Sequence, residues 1–390
     1  MGTFAAHAQQ TIHSTSNGNA SNPLIWDCFC FPTPDDIVII DHQITMDVDW
    51  VVNSAGRIEV SAGASLSQDA DRQLLVDGSG SQLIINGTAV FTDIAFTNGS
   101  SGSNTGNFSV DRGLYFGAGT TFTNSSDMNS IDSLLTEGTF TNSGNCFAGN
   151  FLNTGNFTNT GHIAVDSMGN TGTFAYNGGY LVVNVFGNSG TYTMQNQGFM
   201  DVANNWYNSG DFTVGSGITI AVGGNAYTGD TLGGTATLTV NGGMTVAMDF
   251  GCSDDLNGSG DICVGGYSAN AGNVSGTLDF CDQSAIAGFD LNVGAIAGTV
   301  TFCTSGCAVD INEAALPVVS VSPNPASESI TFTTSAPING VELYTLTGAA
   351  VSVGQPTGNT LSVSDLSEGV YLLKVITTAG SSVTRVVIER

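Results

Sequence analysis

The stretch from Asn142 to Val214 repeats one short phrase, as in Asn153-Thr-Gly-Asn-Phe157 and Asn170-Thr-Gly-Thr-Phe174, and this repetition decides the fold. The other copies are Asn142-Ser-Gly144, Asn159-Thr-Gly-His-Ile163, Asn188-Ser-Gly-Thr-Tyr192 and Asn208-Ser-Gly-Asp-Phe212. The aromatic residue that ends the main copies stands at positions 140, 157, 174, 192 and 212, so the successive steps are 17, 17, 18 and 20. Self-similarity at such a period is typical of a β-solenoid.

Each residue type in the phrase has a local physical role. Asn and Gly tolerate a positive φ and turn the chain sharply, and Ser and Thr hydroxyls support the same turn. A short strand such as Thr191-Tyr192-Thr193 alternates its side chains, so the ring points to one face and both threonines to the other. Stacking coils about 4.8 Å apart places aromatic on aromatic inside and Asn on Asn at a corner. The sequence therefore predicts an all-β fold dominated by a parallel β-helix, or β-solenoid.

The composition supports this fold and excludes some partners. Glycine accounts for 52 of 390 residues, and charged residues for only 10% against the usual ~25%. The net charge is −27, from 6 basic and 33 acidic residues. Nucleic acid is therefore not an expected partner, because phosphate binding needs clusters of Lys and Arg. No stretch approaches the roughly 18 consecutive apolar residues of a membrane helix, so we expect no transmembrane segment.

Shifts in pattern divide the chain into five parts. Residues 1–10 read as a signal-peptide remnant or leader, since Ala6-His7-Ala8 fits a small-x-small cleavage pattern. Residues 11–52 are predicted to form the N-terminal cap of the solenoid, in which Trp26 and neighbouring prolines block the exposed end. The solenoid itself is expected over 53–311, with coils of about 17–20 residues. A linker at 312–317 then leads to a different domain at 318–390.

The eight cysteines favour disulfides over metal in an exported chain. We expect Cys252 to pair with Cys263, because this bond would close one short loop. Cys146 stands alone in the repeat and is interpreted as a small buried hydrophobe.

One segment resembles the start of a calcium loop. Asp255, Asn257, Ser259 and Asp261 place oxygen ligands at alternate positions around a glycine. Position 12 of such a loop needs a bidentate acidic residue, and here it would be Gly266. This mismatch favours a disulfide-closed turn over a calcium site. No cofactor is therefore predicted, and calcium at these four residues is the alternative.

Enzymatic chemistry finds little support in the sequence. Polysaccharide lyases on β-helices need Lys or Arg, and none occurs between Gly113 and Leu373. A glycosidase would need two carboxylates at a suitable separation, for which Asp166, Asp201 and Asp211 are scattered candidates. A catalytic triad would depend on His162, which stands in a variable slot of the repeat. We predict a protein that is not an enzyme.

The last part of the chain reads as seven short strands with turns, which predicts a small immunoglobulin-like β-sandwich. It carries sequence marks in a fixed order, namely Ser322-Pro323-Asn324-Pro325, Val341-Glu-Leu-Tyr-Thr-Leu-Thr-Gly348, Leu366-Ser-Glu-Gly369-Val370-Tyr371-Leu-Leu-Lys374-Val375 and a terminal strand to Arg390. Together these marks resemble the C-terminal sorting domain (type A) of proteins exported by the Bacteroidetes type IX secretion system. The chain before Ile311 resembles the β-solenoid cargo commonly found ahead of it. The residues carried over to the sorting motif are Pro323, Asn324, Pro325, Gly348, Gly369, Tyr371 and Lys374.

The resemblance implies a route and a set of partners. A signal peptide takes such cargo across the inner membrane, and a translocon that reads the sorting domain takes it across the outer membrane. The sortase machinery then removes the domain, and the cargo is anchored to surface lipopolysaccharide or released. We therefore expect a secreted or surface-attached, adhesin-like or matrix protein without enzymatic activity. The alternative is an extracellular carbohydrate-binding or carbohydrate-active β-helix protein that contacts a glycan.

Overall fold

The chain forms two compact units, Met1–Cys307 and Ala308–Arg390, each described separately below. The computed structural model describes residues 8–69, 72–230, 235–284, 288–304, 320–333, 338–345, 350–351, 356, 358–377 and 380–390. Most of the predicted cleavage pattern, the predicted linker at 312–317 and Gly348 of the sorting motif lie outside the described residues.

The first unit is a parallel β-solenoid with three faces, which confirms the predicted fold class. One strand of each coil enters the first face, a 15-stranded parallel sheet. These strands are Thr11–His13, Ile37–Ile40, Arg57–Val60, Gln82–Ile85, Ser101–Asn104, Thr121–Asn124, Thr139–Asn142, Asn156–Asn159, Thr173–Tyr176, Thr191–Met194, Asp211–Val214, Thr237–Val240, Asp255–Gly258, Asn273–Val274 and Ala295–Ile296.

The rest of each coil builds the second and third faces. In six central coils one long strand covers both faces, and these are Thr88–Thr97, Asn107–Phe116, Asp127–Thr136, Asn145–Asn153, His162–Asn170 and Tyr180–Asn188. Separate second-face strands are Gly18–Asn19, Gln43–Met46, Ser65–Gln68, Phe199–Val202, Thr219–Val222, Gly243–Val246, Asp261–Val264 and Asp279–Asp282. Separate third-face strands are Trp50–Val52, Gln73–Asp77, Trp206–Asn208, Ala226–Thr228, Phe250–Cys252, Ser268–Asn270 and Leu291–Asn292.

Equivalent residues of neighbouring coils give the coil lengths. Asn142 and Asn159 are bonded side chain to side chain and stand 17 residues apart, and the same spacing separates Asn153 from Asn170. The coils on both sides of this region are longer. In the first-face register Arg57 pairs with Gln82, and Asp211 pairs with Thr237, so more residues separate equivalent positions there. The regular phrase thus occupies the middle of the solenoid.

Aromatic rings stack in the interior along the first face. Phe140 lies 4.7 Å from Phe157, which lies 4.5 Å from Phe174, and Tyr192 continues the row at 4.4 Å between ring centroids. Phe122 and Phe212 extend the row at its two ends, at 5.9 Å and 4.7 Å. These rings are at most 1% exposed, so the stack forms a core that crosses from coil to coil.

The asparagines of the phrase form ladders at two corners of the coil, whereas the sequence pattern alone predicted one. Asn104, Asn124, Asn142 and Asn159 end strands of the first face, and the first three amides each donate to the next Asn Oδ1 at 2.7–2.8 Å. The second ladder ends the third-face segments and consists of Asn153, Asn170, Asn188 and Asn208, joined at 2.7–2.8 Å. The phrase occurs twice per coil in the centre, which is why one pattern produced two ladders.

The glycines of the phrase are required by close packing between coils. A Cβ on Gly155 would lie 2.1 Å from the carbonyl oxygen of Gly138 in the preceding coil, and one on Gly172 would lie 2.2 Å from that of Gly155. Neither glycine has a positive φ, although the turn chemistry predicted one. Glycine therefore fits here because it lets one backbone approach the next, not because of its left-handed freedom.

A short cap closes the N-terminal end of the solenoid. Pro23–Ile25 forms a 3-10 turn, and Trp26 behind it is fully buried. The Trp26 indole Nε1 donates to the Ala20 carbonyl at 2.9 Å, and its ring meets Trp50 at 6.0 Å. Thr11–His13 already pairs in parallel with the first-face strand that follows, so the predicted cap region also contains coil.

The second unit consists of two antiparallel sheets, as predicted for a small β-sandwich. The three-stranded sheet contains Ser320–Ser322, Ser329–Thr333 and Thr360–Ser362. The four-stranded sheet contains Ile338–Thr345, Ala350–Val351, Gly369–Thr377 and Gly380–Ile388. Ile330 and Phe332 from one sheet share an apolar core with Leu343, Leu373 and Val386 from the other.

Replacing Tyr192 with Phe should stabilise the solenoid. The Tyr192 hydroxyl is buried without a hydrogen-bond partner among the described residues, and burial raises its pKa well above the usual value. Removing this hydroxyl should raise the free energy of unfolding by about 1 kcal/mol, measured by urea denaturation. The matched control is Tyr176→Phe, because the Tyr176 hydroxyl is also buried but donates to the Phe199 carbonyl at 3.2 Å. Tyr176→Phe should destabilise, and equal effects of the two changes would contradict this explanation.

Candidate functional site

The proline-rich turn of the sorting motif is fastened to the last strand of the chain. The Asn324 side chain donates to the Arg385 carbonyl at 2.8 Å and accepts from the Val387 N–H at 2.8 Å. The backbone of Ala326 continues this pairing, donating to Val387 and accepting from Glu389. Pro323 and Pro325 on either side of Asn324 are exposed. One side chain thus holds the turn while the prolines stay accessible to a partner.

A charged pair lies across the two central strands of the four-stranded sheet. Lys374 faces Glu342 in register, and its Nζ lies 3.0 Å from Glu342 Oε2. The Tyr344 hydroxyl donates to the same oxygen at 2.8 Å. The hydrogen bond from Lys374, followed by that from Tyr344, lowers the pKa of Glu342 below its usual value.

The loop before Gly369 and the chain terminus hold one another in place. Tyr371 donates from its hydroxyl to the Ser367 carbonyl at 2.9 Å. The Arg390 guanidinium donates to the carbonyls of Ser364 and Leu366, and its backbone N–H donates to Glu368 at 3.1 Å. Asn324 therefore fastens the proline turn to the terminal strand, and Tyr371 and Arg390 fasten the loop before Gly369.

The four residues of the suggested calcium loop do not form a loop. Asp255–Gly258 is a strand of the first face and Asp261–Val264 is a strand of the second. Asn257 accepts from Thr239 at 2.9 Å and Ser259 donates to Asn241 at 3.3 Å, both in the preceding coil. Across the described part of the chain, no group of three or more His, Cys, Asp or Glu side chains is placed to hold a metal ion.

The expected disulfide between Cys252 and Cys263 is wrong. Cys252 carries a free, buried thiol, whereas Cys263 is bonded in a disulfide with another cysteine. The two residues lie on different faces of the coil, because the strand Asp255–Gly258 runs between them. The described bonds are Cys28–Cys30 and Cys281–Cys303, and the latter fastens the last coils. Cys146 is buried and free, as expected.

The third face presents an uncharged, mostly apolar row to solvent. Strand register aligns its outward positions, which we call the third-face row, as Val51, Leu75, Ala95, Tyr115, Leu135, Leu152, Gly169, Gly187, Tyr207, Tyr227, Gly251, Ala269 and Leu291. Large and small side chains alternate in blocks, so the row contains shallow grooves. Sequence reasoning missed this row because its members stand outside the repeated phrase and about one coil apart.

The corresponding rows of the first face are mostly polar, with exceptions such as Ile39, Ile84 and Ala175. Outward positions there include Thr123, Thr141 and Thr158, which pair in register on successive coils, and Thr193 and Thr213, which pair in register beyond Ala175. Hydroxyl side chains of this kind are ordinary residues on the solvent side of a strand. The third-face row therefore differs from the first face in being mostly apolar.

Comparison with known proteins concerns the second unit. Residues 320–389 match the family described as the secretion system C-terminal sorting domain. Neither a search of curated proteins nor one of solved structures found a match. Among the described residues, no helix has the length and apolar character needed to cross a membrane.

The fold and this match define a class of exported proteins in which a β-solenoid precedes a sorting domain. The chain carries the type IX sorting domain at its C-terminal end, and this domain implies export by type IX secretion to the cell surface or the medium.

The cysteine assignment can be checked by alkylation and peptide mapping. In the folded protein iodoacetamide should label neither Cys146 nor Cys252, because burial raises the pKa of each thiol to about 12. Unfolding without reductant should expose both to labelling, whereas Cys281 and Cys303 should react only after reduction. A peptide that joins Cys252 to Cys263 would contradict the assignment.

Proposed function

We propose that the chain is a non-enzymatic, adhesin-like or matrix component that works outside the cell after type IX export. This proposal rests on the division of the chain into a sorting domain, which directs export, and a solenoid, which serves as a scaffold. The sorting domain supplies the signal for export. The solenoid supplies long parallel sheets whose repeated polar residues are used in ladders between coils. Its partners in this role are the translocon, the sortase machinery and either surface lipopolysaccharide or an extracellular glycan.

The placement of the acidic residues supports a non-enzymatic role. Asp201 lies in a second-face strand and Asp211 in a first-face strand, while Asp166 is exposed on a long strand of another coil. Carboxylates on different faces cannot act on the two sides of one glycosidic bond. His162 is in ring contact with Phe147 and Tyr180, at 5.7 and 5.6 Å, and belongs to an aromatic cluster.

Carbohydrate binding is the second candidate function, and one observation favours it. Tyr207 and Tyr227 stack outward on adjacent coils, with centroids 5.9 Å apart and planes 14° from parallel. Such an exposed aromatic pair is suited to bind a ligand with a flat apolar face. A glycan-binding role is compatible with an adhesin-like role, since an adhesin attaches to surfaces that carry glycans.

Export is tested by removing or weakening the sorting domain in the native host. Deleting residues 318–390 should leave the solenoid in the periplasm, measured by protease accessibility on intact cells and by fractionation. Asn324→Ala should reduce surface display several-fold, because it removes both hydrogen bonds between the proline turn and the last strand.

The control is Asn359→Ala, which changes an exposed asparagine of the same unit. Its backbone carbonyl accepts from the Phe332 N–H, and the change leaves that bond in place. This variant should be displayed normally. Normal display of the truncated chain would refute the sorting role, and normal display of Asn324→Ala would refute the part assigned to the turn.

A further inference from the structure

A broad opening on the third face lies between Tyr227 and Leu291. It encloses about 560 Å³ and is walled by Tyr207, Tyr227, Leu291 and Val293, with Gly251 and Ala269 as its floor. We call this opening the tyrosine groove. The two tyrosines are 43% and 40% exposed, and their rings stack on one another with centroids 5.9 Å apart.

The floor of the groove depends on two small residues. Gly251 follows Tyr227 in register and Ala269 follows Gly251, so two successive coils present almost no side chain there. A Cβ on Gly251 would approach Tyr227 Cδ1 to 2.7 Å, which means that the ring leans over the glycine. The ring thus forms one wall of the depression.

The groove is uncharged on a strongly acidic protein. None of the side chains that line it among the described residues is charged. The whole chain carries a net charge of −27 and has no Lys or Arg between Gly113 and Leu373. An anionic ligand would therefore be repelled by the surrounding field and would find no cation to pair with. The charge pattern favours an uncharged ligand.

Hydroxyl groups border the aromatic wall. Ser209 and Ser253 are exposed at the corner beside Tyr207 and Gly251. A ligand held here would contact rings with one side and hydroxyl groups with its edge. A pyranose ring has this character, since its C–H groups form an apolar face and its hydroxyls form a hydrogen-bonding rim.

The surface continues beyond the groove along the solenoid. Gly187 precedes Tyr207 in register and Gly169 precedes Gly187, and these two glycines floor a second depression of about 230 Å³. Tyr207 lines both depressions. An occupant can therefore extend from coil to coil along the row, which favours a linear chain over a single small molecule.

We propose that the tyrosine groove binds a linear, uncharged polysaccharide that lies along the third-face row and stacks sugar rings on Tyr207 and Tyr227. This assignment rests on the proposed extracellular role and names the ligand class and the site. A second copy of the chain is the competing occupant of an apolar row, and the test below distinguishes it.

The test is calorimetric titration of the purified full-length chain with hexasaccharides. The uncharged probes are cellohexaose, laminarihexaose, mannohexaose, xylohexaose, maltohexaose and chitohexaose, and the charged comparison is hexagalacturonic acid. At least one uncharged hexasaccharide should bind, and the anionic one should not. Tyr207→Ala and Tyr227→Ala should each weaken that binding by at least about tenfold, as expected for central aromatic anchors.

Two glycine variants separate blocking from unfolding. A Cβ added to Gly187 would meet no neighbouring atom within 4 Å, so Gly187→Leu should fill the row without disturbing the fold and should abolish binding. Gly243→Leu is its control, because Gly243 lies on the second face and its Cβ would have ordinary contact distances of 3.7 and 3.8 Å to Thr219. Tyr180→Ala, an equally exposed tyrosine of the second face, is the control for the tyrosine variants. Both controls should keep binding.

Three outcomes would overturn the proposal: no uncharged hexasaccharide binds, the third-face variants bind as tightly as the controls, or the chain dimerises through this face without binding sugar. Sedimentation of Gly187→Leu beside the unaltered chain identifies the last outcome, because a dimer that forms through the third-face row would be lost in this variant. Because the titration uses purified protein, its failure would leave export and surface location untouched. Failure of export would likewise leave the titration result valid.

Discussion

Buried amide groups at two corners of the coil are the constraint on which the solenoid depends. An asparagine at such a corner is almost fully removed from water, so a donor or acceptor left without a partner there is costly. Asn170 avoids this cost by accepting from Asn153 and donating to Asn188, each at 2.7 Å. The same amide also bonds the Gly172 and Thr191 carbonyls. Coil spacing, turn shape and register are thereby set together.

The ladders and the aromatic stack occupy the interior, and this leaves the outward rows free to differ. Threonine fills much of the first-face row, whereas the third-face row is mostly apolar and includes Tyr207 and Tyr227. The small residues Gly251 and Ala269 turn part of that row into a groove. A regular scaffold can in this way carry a local groove without any change in its core. The separate sorting unit carries the signal for export.

Much of the fold could be predicted because residues that stack on equivalent residues of the next coil recur in the sequence at the length of a coil. The aromatic steps from Phe140 to Phe212 correspond to an interior stack, since each ring needs its neighbours in adjacent coils. The Cys252–Cys263 pair was predicted wrongly because two cysteines close in sequence looked like the ends of one loop, whereas a whole first-face strand separates them. The third-face row was missed because apolar residues spaced a coil apart become neighbours only after register is known. Sequence marks located the sorting domain, but only the structure shows Asn324 binding the last strand.

The most direct test of the central role of the ladders is amide hydrogen exchange in Asn170→Ala. This change removes the acceptor for Asn153 and the donor to Asn188 and should cost about 1–3 kcal/mol of local stability. Asn156→Ala is the matched control, because Asn156 is exposed in the neighbouring strand. We expect faster exchange in the coils around Asn170, fading with distance along the solenoid, and no change in the control. Equal exchange in both variants would contradict the claim that the buried ladders hold the coils together.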